Sequence, residues 1–355
     1  MIVAAFSFTL VAYAAWTLLF NAPELRRIAE TVATSLLVAW ISYKLAIYIR
    51  RTLFGHTLPS AGKAVLITGC DTGFGNLLAR KLAAKGYHVY AGCLFSQGDG
   101  ARELARCRGV QVIQMDVASD DDVHSAYEDV TKTLGQNVLW AVVLNAGTLN
   151  VGLVEWQSLE SIRSAFNVNV LGAVRVSKKF MPLLRESRGR LVVMTSLLAN
   201  FTLPGATVYS MCKHATSSLA EGLRRECDPF GVHVSTIEPT GFQTSLVAGV
   251  VERMKAGLRN VPREVLDDFG HHRISAFCDT LNLVLRGALS SNLRQVIDVM
   301  TLAIEESSPR NIYSAGSTLQ RFLLFLPSEW LDFLLSTLFK FVMWRTPNQK
   351  PPLST

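Results

Sequence analysis

The sequence predicts an α/β fold: a doubly wound parallel sheet, preceded by N-terminal membrane helices and followed by an apolar helical tail. Three observations predict it. Six short apolar runs alternate with helical patterns between residues 62 and 315, the order expected of a parallel sheet covered on both faces. A glycine-rich turn, "TGCDTGFG", follows the first run directly. Long apolar stretches lie before and after that region.

The N-terminal stretches come first. Ile2 to Phe20 carries no charge over a length that can cross a bilayer. "NAPELRRIAE" interrupts it, and a second apolar run from Thr31 to Ile49 holds one charge, Lys44. Two membrane helices forming a hairpin are expected over residues 1–51. The alternative is one membrane helix and one buried helix. A cleaved signal peptide is a poorer fit, because the start is not basic and no small-x-small site precedes Asn21. Residues 52–61, with Gly55, Pro59 and Ser60, read as a linker.

The domain over 62–315 opens with "KAVLIT", a run that suits a buried parallel strand. A helix is expected from Phe74 to Lys85. "YHVYAGCL", "VQVIQMDV", "LWAVVLN", "GRLVVMTS" and "VHVSTIEP" supply five more strands. The tail over 316–355 is apolar again and broken by Pro327. On a helix from Ser328, Glu329, Asp332 and Lys340 share one arc, which fits a helix lying in a membrane interface. A helix capping a pocket is compatible with the same pattern.

Composition narrows the function. Of 355 residues, 49% are hydrophobic and 18% charged, and the mean hydropathy is +0.26. Part of such a chain is expected to lie outside water. The net charge of +7 suits an anionic cofactor or a membrane surface. Nucleic acid is not expected as a partner, since no Lys/Arg run exceeds a pair. The six cysteines form no CxxC pair; they read as reduced thiols or small buried hydrophobes, and no metal site is expected.

Thr68, Gly69, Gly73 and Gly75 follow the first strand with the spacing T-G-x3-G-x-G. Glycines permit the tight turn and a close backbone approach to a pyrophosphate, and the helix N-terminus adds N–H donors. Between strand and helix this reads as a dinucleotide site, with Phe74 opening the helix. A 2′-phosphate calls for a nearby base. The loop offers Asp71 and Thr72, and no base follows the second strand until Arg102. Asp71 would repel an added phosphate lying close to it. The usual acidic ribose ligand is missing too, because position 95 is Phe. NAD is expected over NADP. Asp116 and Val117, ending the third strand, are candidates for adenine contact or an ordinary strand end.

Ser196 closes the fifth strand and lies 13 residues before Tyr209 (209 − 196). Lys213 lies one helical turn beyond Tyr209. Each residue alone has a structural explanation: a cap, a core ring, a surface lysine. Downstream of a dinucleotide loop, at this spacing, they form a specific signal.

Together with Asn145-Ala146-Gly147 and Asn169, these residues resemble the short-chain dehydrogenase/reductase family, a Rossmann-type fold, over roughly residues 62 to 315. "LITGCDTGFG", "GRLVVMTS", "IEPTGFQTS" and "LFLPSEWLDFLLS" are similar to its branch of membrane-bound retinol and hydroxysteroid dehydrogenases and D-beta-hydroxybutyrate dehydrogenase. The resemblance implies Tyr209 as general acid/base, with Lys213 and the positive nicotinamide ring lowering its ordinary value near 10. It implies that Ser196 holds the substrate oxygen and that Lys213 contacts the nicotinamide ribose. Asn169 would hold a water linking Lys213 to solvent, Asn145 would brace the central strand, and Gly147 would leave room for the cofactor. Thr244, five residues after Pro239, would bond the carboxamide. Two positions depart from the family pattern. Leu144 stands for the first Asn of Asn-Asn-Ala-Gly, and Thr240 follows Pro239 where Gly is usual. The second threatens the loop carrying Thr244.

The resulting expectation is an oxidoreductase transferring a hydride between NAD and a lipophilic secondary or allylic alcohol or its ketone, in steroid, retinol or lipid metabolism. A D-beta-hydroxybutyrate-type dehydrogenase is the alternative; it would need a cation, with Arg253, Lys255, Arg259 and Arg263 as candidates. A non-catalytic NAD-binding scaffold is the alternative of another class. The membrane is expected to be the endoplasmic reticulum with the catalytic domain cytosolic, or a mitochondrial membrane. Assembly as a homodimer stays open. The sequon Asn200-Phe201-Thr202 would go unused in the cytosol.

Overall fold

A computed structural model describes residues 2–344; the part of the tail beyond lies outside the described residues. The chain forms two compact units, Met1–His56 and Thr57–Thr355. The first contains α1 (Ile2–Asn21) and α2 (Pro23–Phe54). Pro23 opens α2, where its missing N–H removes no helical hydrogen bond. Among the described residues, one stretch is long and apolar enough to cross a membrane, Pro23–Arg50 of α2, and none of it is buried. In α1 the apolar stretch of described residues is the shorter Thr9–Leu18. Residues 52–54, read as linker, continue α2.

The second unit runs β1 (Lys63–Thr68), α3 (Gly73–Ala84), β2 (His88–Cys93), α4 (Asp99–Ala105), β3 (Val110–Gln114), α5 (Asp120–Thr133) and β4 (Val138–Leu144). It continues with α6 (Leu159–Phe166), α7 (Gly172–Ser187), β5 (Arg190–Met194), α8 (Thr207–Cys227) and β6 (His233–Pro239). α9 (Val250–Gly257), α10 (Arg263–Phe269), α11 (His271–Gly287), α12 (Arg294–Glu305), β7 (Ile312–Ala315), α13 (Thr318–Phe322) and α14 (Ser328–Trp344) complete it.

The strands form one sheet in the order β3-β2-β1-β4-β5-β6-β7, and every pair is parallel. Helices cover both faces, so the central strands are buried throughout: Val65, Leu66 and Ile67 of β1 and Leu191, Val192 and Val193 of β5 are fully enclosed. The order reverses between β1 and β4, which opens a crevice beyond their C-terminal ends.

Six strands match the runs read from the sequence. The seventh was not read: β7 is four residues long, pairs with β6 alone and contains Ser314, so it carries little apolar signal. Two strand ends are corrected. β5 stops at Met194, because Thr195 N–H makes a final bond to Ile237 O at 2.9 Å and Ser196 then caps a turn at Leu197–Ala199. Ser196 therefore lies beyond the strand. β3 stops at Gln114, so Asp116 and Val117 lie in the turn that follows it.

The tail is part of the second unit. Met343 is buried, and Phe339 and Val342 pack beside it, in a cluster with Trp156, Met254 and Phe277. The opposite side of α14 leaves Trp330, Phe333 and Phe341 exposed. Glu329, Asp332 and Lys340 are exposed as well.

Candidate active site

The glycine loop joins β1 to α3, and its glycines answer to different needs. Gly69 has φ +69°, and a Cβ there would stand 2.8 Å from Ala146 Cα. Gly73 has φ +64°, and a Cβ there would make only ordinary contacts, 3.8 Å from Ser245 Oγ and 3.9 Å from Thr244 Cβ, so conformation and not crowding requires glycine. A Cβ on Gly75 would fall 2.5 Å from Gly69 O and 2.7 Å from Asn145 Nδ2. Thr68 fixes the loop to β4: its Oγ1 accepts from Asn145 N and Ala146 N, each at 3.0 Å. Asn145 Nδ2 donates to Thr68 O at 2.9 Å and Gly69 O at 3.0 Å. These bonds tie Asn145 to the end of β1 and the start of the loop. Leu144, in the place of the usual Asn, is buried in the core.

A cleft of about 850 Å³ runs from this loop across the ends of the strands. Gly69, Asp71, Gly73 and Phe74 line it, with Asp116, Val117, Asn145, Ala146 and Gly147. Asn169, Tyr209, Lys213, Pro239 and Thr244 also face it. A Cβ on Gly147 would meet Asn169 Oδ1 at 2.7 Å and approach Lys213 Nζ to 3.9 Å. The missing side chains of Gly73 and Gly147 thus leave a continuous trough, and the residues fit a dinucleotide.

Tyr209 and Lys213 occupy the first turns of α8. Lys213 Nζ lies 5.6 Å from the centre of the Tyr209 ring and donates to Met194 O at 2.9 Å. Lys213 is buried, not the surface residue its type suggests. Burial pushes Tyr209 up to about 12, and the polar influence of the Ser196 hydroxyl pulls it partway back. Burial lowers Lys213 to about 8. In the protein alone, desolvation of the phenolate outweighs the other influences on Tyr209; the expected lowering by Lys213 together with the nicotinamide ring concerns the cofactor complex. Ser196 is buried, and its Oγ also accepts from Leu198 N at 3.2 Å.

Asn169 lies in a π-helical turn, Asn167–Leu171, between α6 and α7, an irregularity often found at functional positions. Its Oδ1 accepts from Thr148 N at 3.0 Å, and its Nδ2 donates to Ala165 O at 2.9 Å and to Thr148. The side chain thus anchors the segment after Gly147.

Thr240, the second departure, is absorbed by the sheet edge. Its N–H bonds Ala315 O at 3.0 Å, and its Oγ1 accepts from Ser317 N at 3.1 Å. Thr244 still reaches the cleft. Beside it, Ser245 Oγ hydrogen-bonds Thr72 Oγ1 across from the glycine loop.

The sequence reading missed Thr148, which the unbroken run from Asn145 pointed toward. It also missed the substrate-side wall of Leu149, Val151, Trp156, Val250 and Met254, whose apolar types carry no motif.

The family profile described as short chain dehydrogenase matches residues 63–255. The chain is similar to 17-beta-hydroxysteroid dehydrogenase type 6 of Bos taurus, 36% identical over 295 residues, covering 81% of this chain and 90% of that protein. It is similar to mitochondrial D-beta-hydroxybutyrate dehydrogenase of Rattus norvegicus, 34% identical over 274 residues, 74% and 80% of the two chains. Retinol dehydrogenase 16 of Rattus norvegicus is 32% identical over 295 residues, 82% and 91% of the two.

Proposed function

Because the chain belongs to the short-chain dehydrogenase family, and is thus an oxidoreductase of CH–OH groups, we propose that it oxidises a secondary or allylic alcohol on a lipophilic molecule with NAD. One observation carries this reading: the glycine loop, Tyr209 and Lys213 line one cleft.

The wall beyond Tyr209 supports a steroid, sterol or retinoid over a small anion. It is apolar at Leu149, Val151, Trp156, Val250 and Met254. Of the four cations proposed for a hydroxybutyrate-type pocket, Arg253 reaches the cleft, while Lys255, Arg259 and Arg263 do not line it. Arg253 is committed to backbone, donating to Ala248 O at 2.6 Å and Leu246 O at 3.0 Å.

Bound NAD supplies a hydride acceptor at nicotinamide C4. Tyr209 takes the hydroxyl proton as the C–H bond breaks. Ser196 holds the substrate oxygen and, through the polar influence of its hydroxyl on Tyr209, favours the phenolate. Lys213 adds positive charge beside the ring and reaches the nicotinamide ribose. Thr244, which lines the cleft, would bond the carboxamide, and Asn169, which anchors Thr148, would support a relay water near Lys213. In reduction Tyr209 returns the proton.

The membrane suits such substrates, which partition into lipid. The apolar span in α2 supports an integral anchor. The exposed apolar residues of α14 support contact with an interface. The endoplasmic reticulum with a cytosolic catalytic domain is the proposed location.

The test is a substrate panel on protein reconstituted in membranes: steroid, sterol and retinoid alcohols and D-beta-hydroxybutyrate, each with NAD and NADP. NADH formation with a lipophilic alcohol is the expected result. Turnover confined to hydroxybutyrate contradicts the substrate class, and NADH binding without turnover on any alcohol favours the scaffold.

A further inference from the structure

The end of β2 lacks the acidic side chain that ordinarily takes the adenosine ribose hydroxyls. Leu94, Phe95 and Ser96 occupy the turn after Cys93. A carboxylate is nevertheless present there, and it comes from the glycine loop. Asp71 Oδ2 accepts from Leu94 N at 3.0 Å, and Oδ1 accepts from Phe95 N at 2.8 Å. These are the first two backbone donors beyond the strand. The turn is fixed from its other side by Gln114, whose Nε2 donates to Leu94 O at 2.8 Å and whose Oε1 accepts from Ser96 N at 3.1 Å. Gly100 permits the approach, because a Cβ there would fall 1.9 Å from Asp71 O.

Each carboxylate oxygen has a second lone pair after accepting one N–H, and Asp71 lines the cleft. Among the described residues, no Lys or Arg lines this end of the cleft. The basic residues lining the cleft are Lys213 and Arg253, and both lie at its catalytic end. Arg80, on the helix that follows the loop, bonds Asn76 and Glu103, and the exposed Arg102 stands 3.7 Å from Asp99; neither lines the cleft.

We infer that Asp71 is the specificity-determining residue for the cofactor: its spare lone pairs accept a ribose hydroxyl, and its charge rejects a 2′-phosphate. The inference rests on the dinucleotide reading of the cleft. It replaces a missing acid on the second strand with one delivered by the first loop, locked in place by the backbone it would otherwise have followed.

The test is equilibrium binding of NADH and NADPH, read by nucleotide fluorescence on the full-length protein, for wild type, Asp71→Asn and Asp71→Ser. Wild type is expected to bind NADH at least tenfold more tightly, and that ratio is expected to fall at least tenfold in either variant. A purely structural role for Asp71 weakens both nucleotides equally, so an unchanged ratio overturns the inference. Wild type alone provides a second measurement. Repulsion between Asp71 and the phosphate is screened by salt, so the NADH preference should narrow from 20 to 500 mM NaCl; a preference that widens overturns it. Absence of binding by either nucleotide to wild type overturns the dinucleotide reading itself and is distinct from both results.

Discussion

Lys213 donates from Nζ to the carbonyl of Met194 at 2.9 Å, which ties helix α8 to the end of β5 while both residues face the cleft. The ammonium is buried, and that burial holds it at about 8 against an ordinary 10.5. Below pH 8 the folded protein carries this charge at a cost on the order of a few kcal/mol relative to the unfolded chain. Between pH 8 and 10.5 the unfolded chain binds the extra proton, so the group's contribution to stability improves as pH rises. Lys213→Met removes that dependence. The Tm difference, wild type minus variant, should become more positive between pH 7 and pH 10; a difference constant with pH contradicts the buried cation.

The raised Tyr209 value sets the direction of the pH profile. Oxidation needs the phenolate, so kcat/KM for the alcohol should climb with pH through the neutral range, while reduction, which needs the phenol, should not. Ser196→Ala removes the hydroxyl whose influence favours the phenolate. Turnover should fall about 10- to 100-fold, the worth of a bond to a charged group, and the rising limb should move to higher pH. An unshifted limb assigns Ser196 to substrate binding alone.

Gly75 packs against backbone. The Cβ of Gly75→Ala would lie 2.5 Å from Gly69 O, and relieving that contact should cost about 1–3 kcal/mol and weaken NADH binding. Gly257→Ala is the control, since nothing lies within 4 Å of its added Cβ. Equal Tm and equal NADH affinity in the two variants would show that the loop yields.

The apolar span of α2 predicts that alkaline carbonate leaves the protein in the membrane pellet, and release would remove the integral anchor. In sealed microsomes, added protease should digest the catalytic domain. Protection together with a glycan on Asn200 would place that domain in the lumen.

The alternation of strands and helices was legible because parallel strands buried on both faces read as unbroken apolar runs. The glycine loop and the Tyr209, Lys213 pair, which line one cleft, were legible because residue type and spacing both mark them; Ser196 is buried and does not line that cleft. β7 was not, since an edge strand of four residues needs little hydrophobicity. The pocket wall was not either: Trp156 and Met254 lie 98 residues apart (254 − 156) and meet only through tertiary packing. The role of Asp71 was half visible. Its type suggested the cofactor, but its bonds to Leu94 and Phe95 depend on how the loop folds over β2. The raised Tyr209 value of the protein alone was not visible for a similar reason, because burial is a property of the fold and not of the motif.

Tyr209→Phe tests the central claim most directly. The substitution removes the one ionisable oxygen and leaves the ring that packs in the cleft. NADH formation should be measured with the best alcohol from the panel, beside NADH affinity by fluorescence. The account predicts that turnover falls by at least about 10²–10⁴-fold while NADH affinity stays within about threefold of wild type; turnover near the wild-type rate, with binding intact, would contradict it.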